Sequence, residues 1–356
     1  MPRPPLTEID ARRIAVIKPS ALGDIVHALP ILPALRHRFP AAHVTWVVNR
    51  AYEPLLTGHP GLDATLAFDR GSLKRGVVAG ARAALTFAKS LRAGEFDLVL
   101  DLQGLFRSGL MTAATRAPRR VGLSTAREGA AHFYTDVVPT PGLDAAHAVD
   151  RCWRMAEALG VGHLPKTWHL PIDPAAAKWV DAELAPLPRP WLVFGVGARW
   201  LTKRWPPQHF AALARAAQER HGGSVVFIGT ADEEPLAVAA AADLSGPVRH
   251  LSGRTTMPQV IAVLARADVV VANDTGPLHL AAALGRPVVA PYTCTAVRLH
   301  GPYGAERGTA ETTVACRASY VRTCPHLSCM AELTPDRLRP KLFEALSAWP
   351  TLSRSA

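Results

Sequence analysis

Three short stretches of this 356-residue chain place reactive side chains directly after apolar runs. The first is Lys18-Pro19-Ser20-Ala21-Leu22-Gly23-Asp24-Ile25, which follows Ile14-Ala15-Val16-Ile17. Asp24 stands where a helix starts, and there a carboxylate can simply cap free backbone N–H groups. The same carboxylate, at the carboxyl end of a parallel strand, can instead serve as general base toward a hydroxyl. Gly23 would let the backbone turn tightly beside a ligand. The second stretch, Arg199-Trp200-Leu201-Thr202-Lys203-Arg204-Trp205-Pro206, follows Gly195-Val196-Gly197-Ala198 and sets three cations near a strand end. It reads either as a charged loop pinned by tryptophans or as a phosphate contact. The third runs from Val269 through Asn273-Asp274-Thr275-Gly276-Pro277-Leu278-His279. A buried strand ends there in a polar turn, and Pro277 suits the first turn of a helix because it lacks an N–H that would go unpaired. Free N–H groups and the helix dipole make such a start an anion site, and a diphosphate fits it. His279 either faces the same ligand or is packed.

Two common nucleotide signatures are absent. Trp200 stands where the third glycine of a dinucleotide fingerprint would be, and no GxxxxGK[ST] sequence occurs.

Positioning these residues requires parallel sheets. Short apolar runs at 14–17, 44–48, 97–100, 191–194, 224–228, 269–272 and 288–291 alternate with helical stretches near 24–39, 80–93, 207–221, 235–243, 257–265, 277–284 and 335–347. That alternation predicts βαβ units and an α/β fold with two Rossmann-like halves. Prolines crowd the stretch 164–190 and mark a linker. The expected division is an N-terminal domain over 1–170, a linker over 171–190, a second domain over 191–334, and a helix and tail over 335–356. Doubly wound domains bind ligands outside the carboxyl ends of their strands, so a cleft between two such faces is expected.

With 49% hydrophobic and 19% charged residues, the chain can fill substantial cores. No apolar run approaches the ~20 residues of a membrane span, and no signal peptide is visible, so a cytosolic protein is expected. The net charge is +11, with the excess concentrated between Arg70 and Arg127, where Lys74 and Arg75 are among the cations. Such a region attracts phosphates or is an ordinary solvated surface. Interleaved aromatics of a single-strand platform are missing, so nucleic acid is not an expected partner. Cys316, Cys324 and Cys329 lie close in sequence but lack the paired spacing of a zinc ribbon.

Taken in order, these stretches resemble glycosyltransferase family 9, the ADP-heptose:lipopolysaccharide heptosyltransferases. The resemblance is carried by Lys18 to Asp24, Asp101-Leu102-Gln103-Gly104-Leu105, Ser124-Thr125-Ala126-Arg127-Glu128, Phe133-Tyr134, and His147-Ala148-Val149-Asp150-Arg151. Lys203-Arg204-Trp205-Pro206, Asn273 to His279 and Gly301-Pro302-Tyr303-Gly304 complete it. It implies a GT-B fold and inverting transfer from ADP-heptose to a Kdo-lipid A type acceptor, without metal or other cofactor. It also implies Asp24 as general base and Lys203 on the donor phosphates. Ser20, Gly23, Gly197, Asp274, Thr275, Gly276 and His279 would bind the donor. Arg70, Gln103, Arg107 and Arg127 would serve the anionic glycolipid, with peripheral contact at the inner membrane surface. A family member with another sugar or acceptor, a nucleotide-sugar epimerase and a non-catalytic binder are the alternatives. Pro19, Thr293-Cys294-Thr295-Ala296-Val297 and the tail from Cys316 to Met330 depart from the family pattern.

Overall fold

A computed structural model describes residues 3–72 and 76–347. Lys74 and Arg75, and residues 348–356 of the expected tail, lie outside the described residues. The chain divides into two compact units, Met1–Pro171 and Ile172–Ala356.

The first unit contains β1 (Arg13–Ile17), β2 (His43–Asn49), β3 (Ala64–Phe68), β4 (Leu98–Asp101), β5 (Arg119–Leu123) and β6 (Asp136–Val138). The second contains β7 (Trp191–Gly195), β8 (Ser224–Phe227), β9 (Val248–His250), β10 (Val269–Ala272), β11 (Val288–Tyr292) and β12 (Thr309–Glu311). Each unit forms one six-stranded sheet, in the orders β3-β2-β1-β4-β5-β6 and β12-β11-β10-β7-β8-β9. All ten strand pairings are parallel. Renumbered within its unit, the second order is the same as the first, the Rossmann order in which winding reverses between strands one and four. The central strands are buried along nearly their whole length, which is why they read as unbroken apolar runs.

That reversal fixes where loops can form a site. Ile17 pairs with Asp101, and Ala272 with Gly195, so the loops after β1 and β4, and those after β7 and β10, leave their sheets side by side.

Three expectations change. The helix foreseen over 24–39 is two, Leu22–Ala28 and Ile31–Arg38, because Pro30 cannot donate an internal hydrogen bond. The proline-rich stretch 171–190 is no open linker: Asp173 caps a helix at Pro174–Leu184. That helix packs on helix Met257–Arg266 and is tied to it by the Asp181–Arg266 ion pair. The helix Arg339–Ser347 belongs to the second core, where Leu338, Leu342 and Leu346 join Phe194, Trp205 and Phe210. No described helix is long and apolar enough to cross a membrane.

Candidate active site

In the first unit the loop after β1 is held from below. Lys18 is buried, its ammonium donates to the Leu102 carbonyl (2.8 Å), and its own carbonyl accepts from the Trp46 indole (3.0 Å). Lys18 is therefore a strut between the β1 and β4 loops. Asp24 sits on the first turn of helix Leu22–Ala28, half-buried, and its Oδ2 accepts the Ala21 N–H at 3.0 Å. The capping role is thus real, yet it occupies one oxygen. Among the described residues Oδ1 has no hydrogen-bond partner. Gly23 lies inside that helix with ordinary backbone, so the tight turn expected of it is not needed.

The loop after β4 is organised by Asp101. Its buried Oδ1 accepts the N–H groups of Gln103 (2.9 Å) and Gly104 (3.0 Å), while Oδ2 accepts the Tyr134 hydroxyl (2.8 Å). Burial pushes the Asp101 carboxyl above its usual range despite these bonds, and burial beside Asp101 drives the Tyr134 phenol far up. The Tyr134 ring lies on Gly122 of β5, where a Cβ would come within 2.0 Å of it. Gly104 has φ +66° and accepts, through its carbonyl, the Arg127 N–H at 2.8 Å. The Gln103 Oε1 is buried with no partner among the described residues. Arg70, after β3, and Arg107 and Arg127, after β4 and β5, are exposed in segments that leave the carboxyl ends of this parallel sheet. Arg119 and Arg120, counted among the basic excess, are instead structural: Arg119 grips Asp136 with two hydrogen bonds, and Arg120 donates to the carbonyls of Phe133 and Ala117.

The second unit carries a denser network. Asn273, fully buried at the end of β10, donates to the Val196 carbonyl (2.9 Å) and accepts the Trp205 N–H (3.1 Å). One amide thus staples the β7 loop to β10. Beside it Asp274 is buried and fully satisfied. Its Oδ2 accepts from Lys203 Nζ and from the Thr295 hydroxyl, both at 2.6 Å. Its Oδ1 meets His279 Nε2 at 3.2 Å and the Tyr292 hydroxyl at 3.3 Å. Burial opposes the charge, but the His279 hydrogen bond and the Lys203 cation outweigh it and hold the Asp274 carboxyl well below the usual carboxylate range.

Lys203 also reaches the Asp274 carbonyl (3.2 Å) and lies 4.9 Å over the Trp200 ring. Of the three cations foreseen here, Arg204 is spent on the Ala198 carbonyl and Arg199 is exposed. His279 faces Asp274 rather than standing free for a ligand. Helix Gly276–Ala283 begins after Thr275, whose hydroxyl bonds back to the Asn273 carbonyl (3.2 Å) and does not cap the helix. Gly197 leaves room for Glu233, whose carboxyl carbon lies 1.9 Å from where a Cβ would stand. Ser20 precedes the helix that holds Gly23 and Asp24 in the first unit, whereas Gly197, Asp274, Thr275, Gly276 and His279 belong to the second.

Sequence reasoning missed Tyr134, Tyr292 and Thr295 as site builders. Thr293 and Thr295, in a segment that departs from the family pattern, are the residues that lock this site: Thr293 donates to the Thr202 carbonyl. Among the described residues no group of three or more His, Cys, Asp or Glu side chains is placed to hold a metal.

The model of glycosyltransferase family 9 (heptosyltransferase) matches residues 84–329, well over half the sequence. The chain belongs to glycosyltransferase family 9. It is 27% identical to lipopolysaccharide heptosyltransferase 1 of Pseudomonas aeruginosa, over 96% of this chain and 99% of that protein. The structure of Escherichia coli heptosyltransferase WaaC with ADP superposes with a TM-score of 0.74 at 26% identity, covering 94% of this glycosyltransferase and 99% of that chain. A glycosyl transferase family 9 structure from Veillonella parvula gives a TM-score of 0.80 at 22% identity, over 96% and 98% of the two chains. These likenesses agree with the two Rossmann-like sheets of the GT-B class.

Proposed function

We propose that this family 9 glycosyltransferase moves heptose, with inversion and without a metal, from ADP-heptose to a Kdo-bearing lipid A type acceptor of the lipopolysaccharide core. Two observations carry the reading, one in each unit: a carboxylate with one uncommitted oxygen after β1, and a cation beside an uncapped helix start after β10. The names of the relatives support the sugar and its destination, and the WaaC structure with ADP supports the nucleotide.

In this mechanism the acceptor hydroxyl lies against Asp24 Oδ1. The proton passes to Asp24 as the hydroxyl oxygen bonds to the anomeric carbon from the face opposite the nucleotide. The bond between that carbon and the β-phosphate oxygen breaks, and ADP leaves with the electron pair. Lys203 keeps one N–H for the departing phosphate after two are committed to Asp274, and the Gly276 N–H at the helix start supplies another, Pro277 having none and the Leu278 N–H being taken by the Thr275 carbonyl. Asp274 and His279 hold Lys203 in place instead of touching sugar. The orphan Gln103 oxygen takes an acceptor hydroxyl, and Arg70, Arg107 and Arg127 meet the acceptor's carboxylates and phosphates. The enzyme works in the cytoplasm.

Mass spectrometry of products from ADP-heptose and Kdo-lipid A, with EDTA present, tests the proposal. A heptosylated lipid that persists under chelation is the expected result. Transfer only from UDP- or GDP-sugars, or sugar released without an acceptor, would replace it with another reaction.

A further inference from the structure

The loop between β12 and the short helix Ser328–Glu332 departs from the family pattern and holds none of the site residues described above. It is nonetheless fastened to that site. Its two ends meet at Glu332, whose carboxylate accepts the Thr312 hydroxyl (2.5 Å) and the Thr313 N–H (3.0 Å). Its middle is drawn onto the turn that carries Lys203. The Tyr320 N–H donates to the Cys294 carbonyl at 2.8 Å. The Val321 carbonyl accepts the hydroxyl of Thr202 (2.5 Å), and the Arg322 carbonyl accepts the Thr202 N–H (3.5 Å). Thr202 is buried directly beside Lys203. Ala318, Tyr320 and Leu327 have φ of 57°, 57° and 46°, a left-handed region that side chains resist. These ties, rather than local preference, therefore set the path of the loop.

What the loop delivers is Arg322. Its guanidinium carbon lies 5.2 Å over the half-buried Trp200 ring, and Lys203 Nζ lies 4.9 Å from the same ring. The two cations are not equivalent. Lys203 is answered by the buried Asp274 carboxylate at 2.6 Å. Arg322 is exposed, and among the described residues its guanidinium has neither an ion pair nor a hydrogen bond. Glycosyl transfer leaves one further negative charge on the departing β-phosphate. Lys203, paired with Asp274, brings no net charge to meet it. We infer that Arg322 is a second diphosphate-binding cation of the donor site, presented over Trp200 by this loop and supplying the uncompensated charge that Lys203 lacks. The assignment rests on the nucleotide-sugar reading given above. A planar guanidinium that stacks on an indole keeps its N–H fork open for two phosphate oxygens at once.

Calorimetric titration of the full-length protein and of Arg322→Gln, with ADP and with adenosine, tests the assignment without turnover. ADP should bind the variant about tenfold more weakly, a difference that shrinks in high salt, while adenosine binds both equally. Arg322→Lys should recover only part of the loss, because an ammonium offers no fork. The thermal midpoint should stay that of the parent, since the guanidinium is exposed. Equal ADP affinity in the parent and Arg322→Gln would overturn the assignment. So would an equal loss toward adenosine, which marks a displaced loop rather than a lost phosphate contact. Parallel titrations with UDP and GDP keep the donor a separate question. A parent that prefers one of these replaces ADP, and Arg322 is then upheld or overturned by the same comparison between that diphosphate and its nucleoside. A parent that binds no nucleoside diphosphate would end both readings.

Discussion

At the scale of single residues, two carboxylates in this enzyme differ in kind. Asp24 is half-buried, holds one N–H and keeps an oxygen in reserve; Asp274 is buried and has every oxygen engaged. Asp24→Asn retains an amide oxygen that can still accept the Ala21 N–H. Turnover should therefore drop about 10²–10⁴-fold while the thermal midpoint barely moves, measured by steady-state kinetics beside calorimetry. Near-normal turnover would leave Asp24 as a cap and nothing more. Lys203→Ala removes the cation from a buried carboxylate, which costs about 3–5 kcal/mol when a pair is fully buried. Lys203 retains some exposure, so a loss of about 2 kcal/mol in a denaturant titration is expected, together with roughly 10²-fold lower turnover. Lys203→Ala with Asp274→Asn should recover much of the stability and little of the rate, which separates the structural role of the lysine from its chemical one.

At the scale of elements, the strands that could be read from sequence are those buried on both faces. β1, β4, β7, β8, β10 and β11 announce themselves as apolar runs, and so does β2. Those that escaped have physical reasons. β6, β9 and β12 are three residues each, too short for a pattern. β5 opens with Arg119-Arg120, charges neutralised by Asp136 and by backbone carbonyls that only the fold supplies. The same limit applies to the site. Asp24, Lys203 and Asp274 were legible because a charged side chain in the segment after an apolar strand stands out, whereas Thr295, a neutral hydroxyl after β11, and Tyr134, just before the short β6, carry no such signal. Gly197 shows how tightly these loops fit. Gly197→Ala would push a methyl into the Glu233 carboxyl, which also accepts the Thr230 N–H at 3.0 Å. A loss of about 1–3 kcal/mol is expected. Glu233→Ala in the same chain should return part of it, and a double variant no more stable than the single one would place the strain elsewhere.

At the scale of the whole molecule, each unit has its own sheet and core, so each should answer to its own perturbations. His59 belongs to the first unit. Burial, and the nearby His169, lower its pKa to about 4, and its Nδ1 accepts the Gly61 N–H at 3.0 Å. The unfolded chain takes up this proton near pH 6.5 and the folded chain only near pH 4. Stability must therefore fall as pH drops through that window and level off below it. The loss is about 3 kcal/mol at most, and His59→Asn, whose amide oxygen can replace Nδ1, should remove that part of the slope in calorimetry at successive pH values. An unchanged slope would assign the acid sensitivity to other groups. Reach along the chain has a further result. The Trp205 indole donates to the Leu333 carbonyl at 2.7 Å, and the helix that follows Leu333 is wedged into the second core. Leu333 and the helix Arg339–Ser347 are thus a clamp on the cationic turn that the proposed mechanism sets against the leaving group. A premature stop shortly after residue 333 would spare every proposed reacting side chain and still disarm the enzyme, by letting that turn come loose.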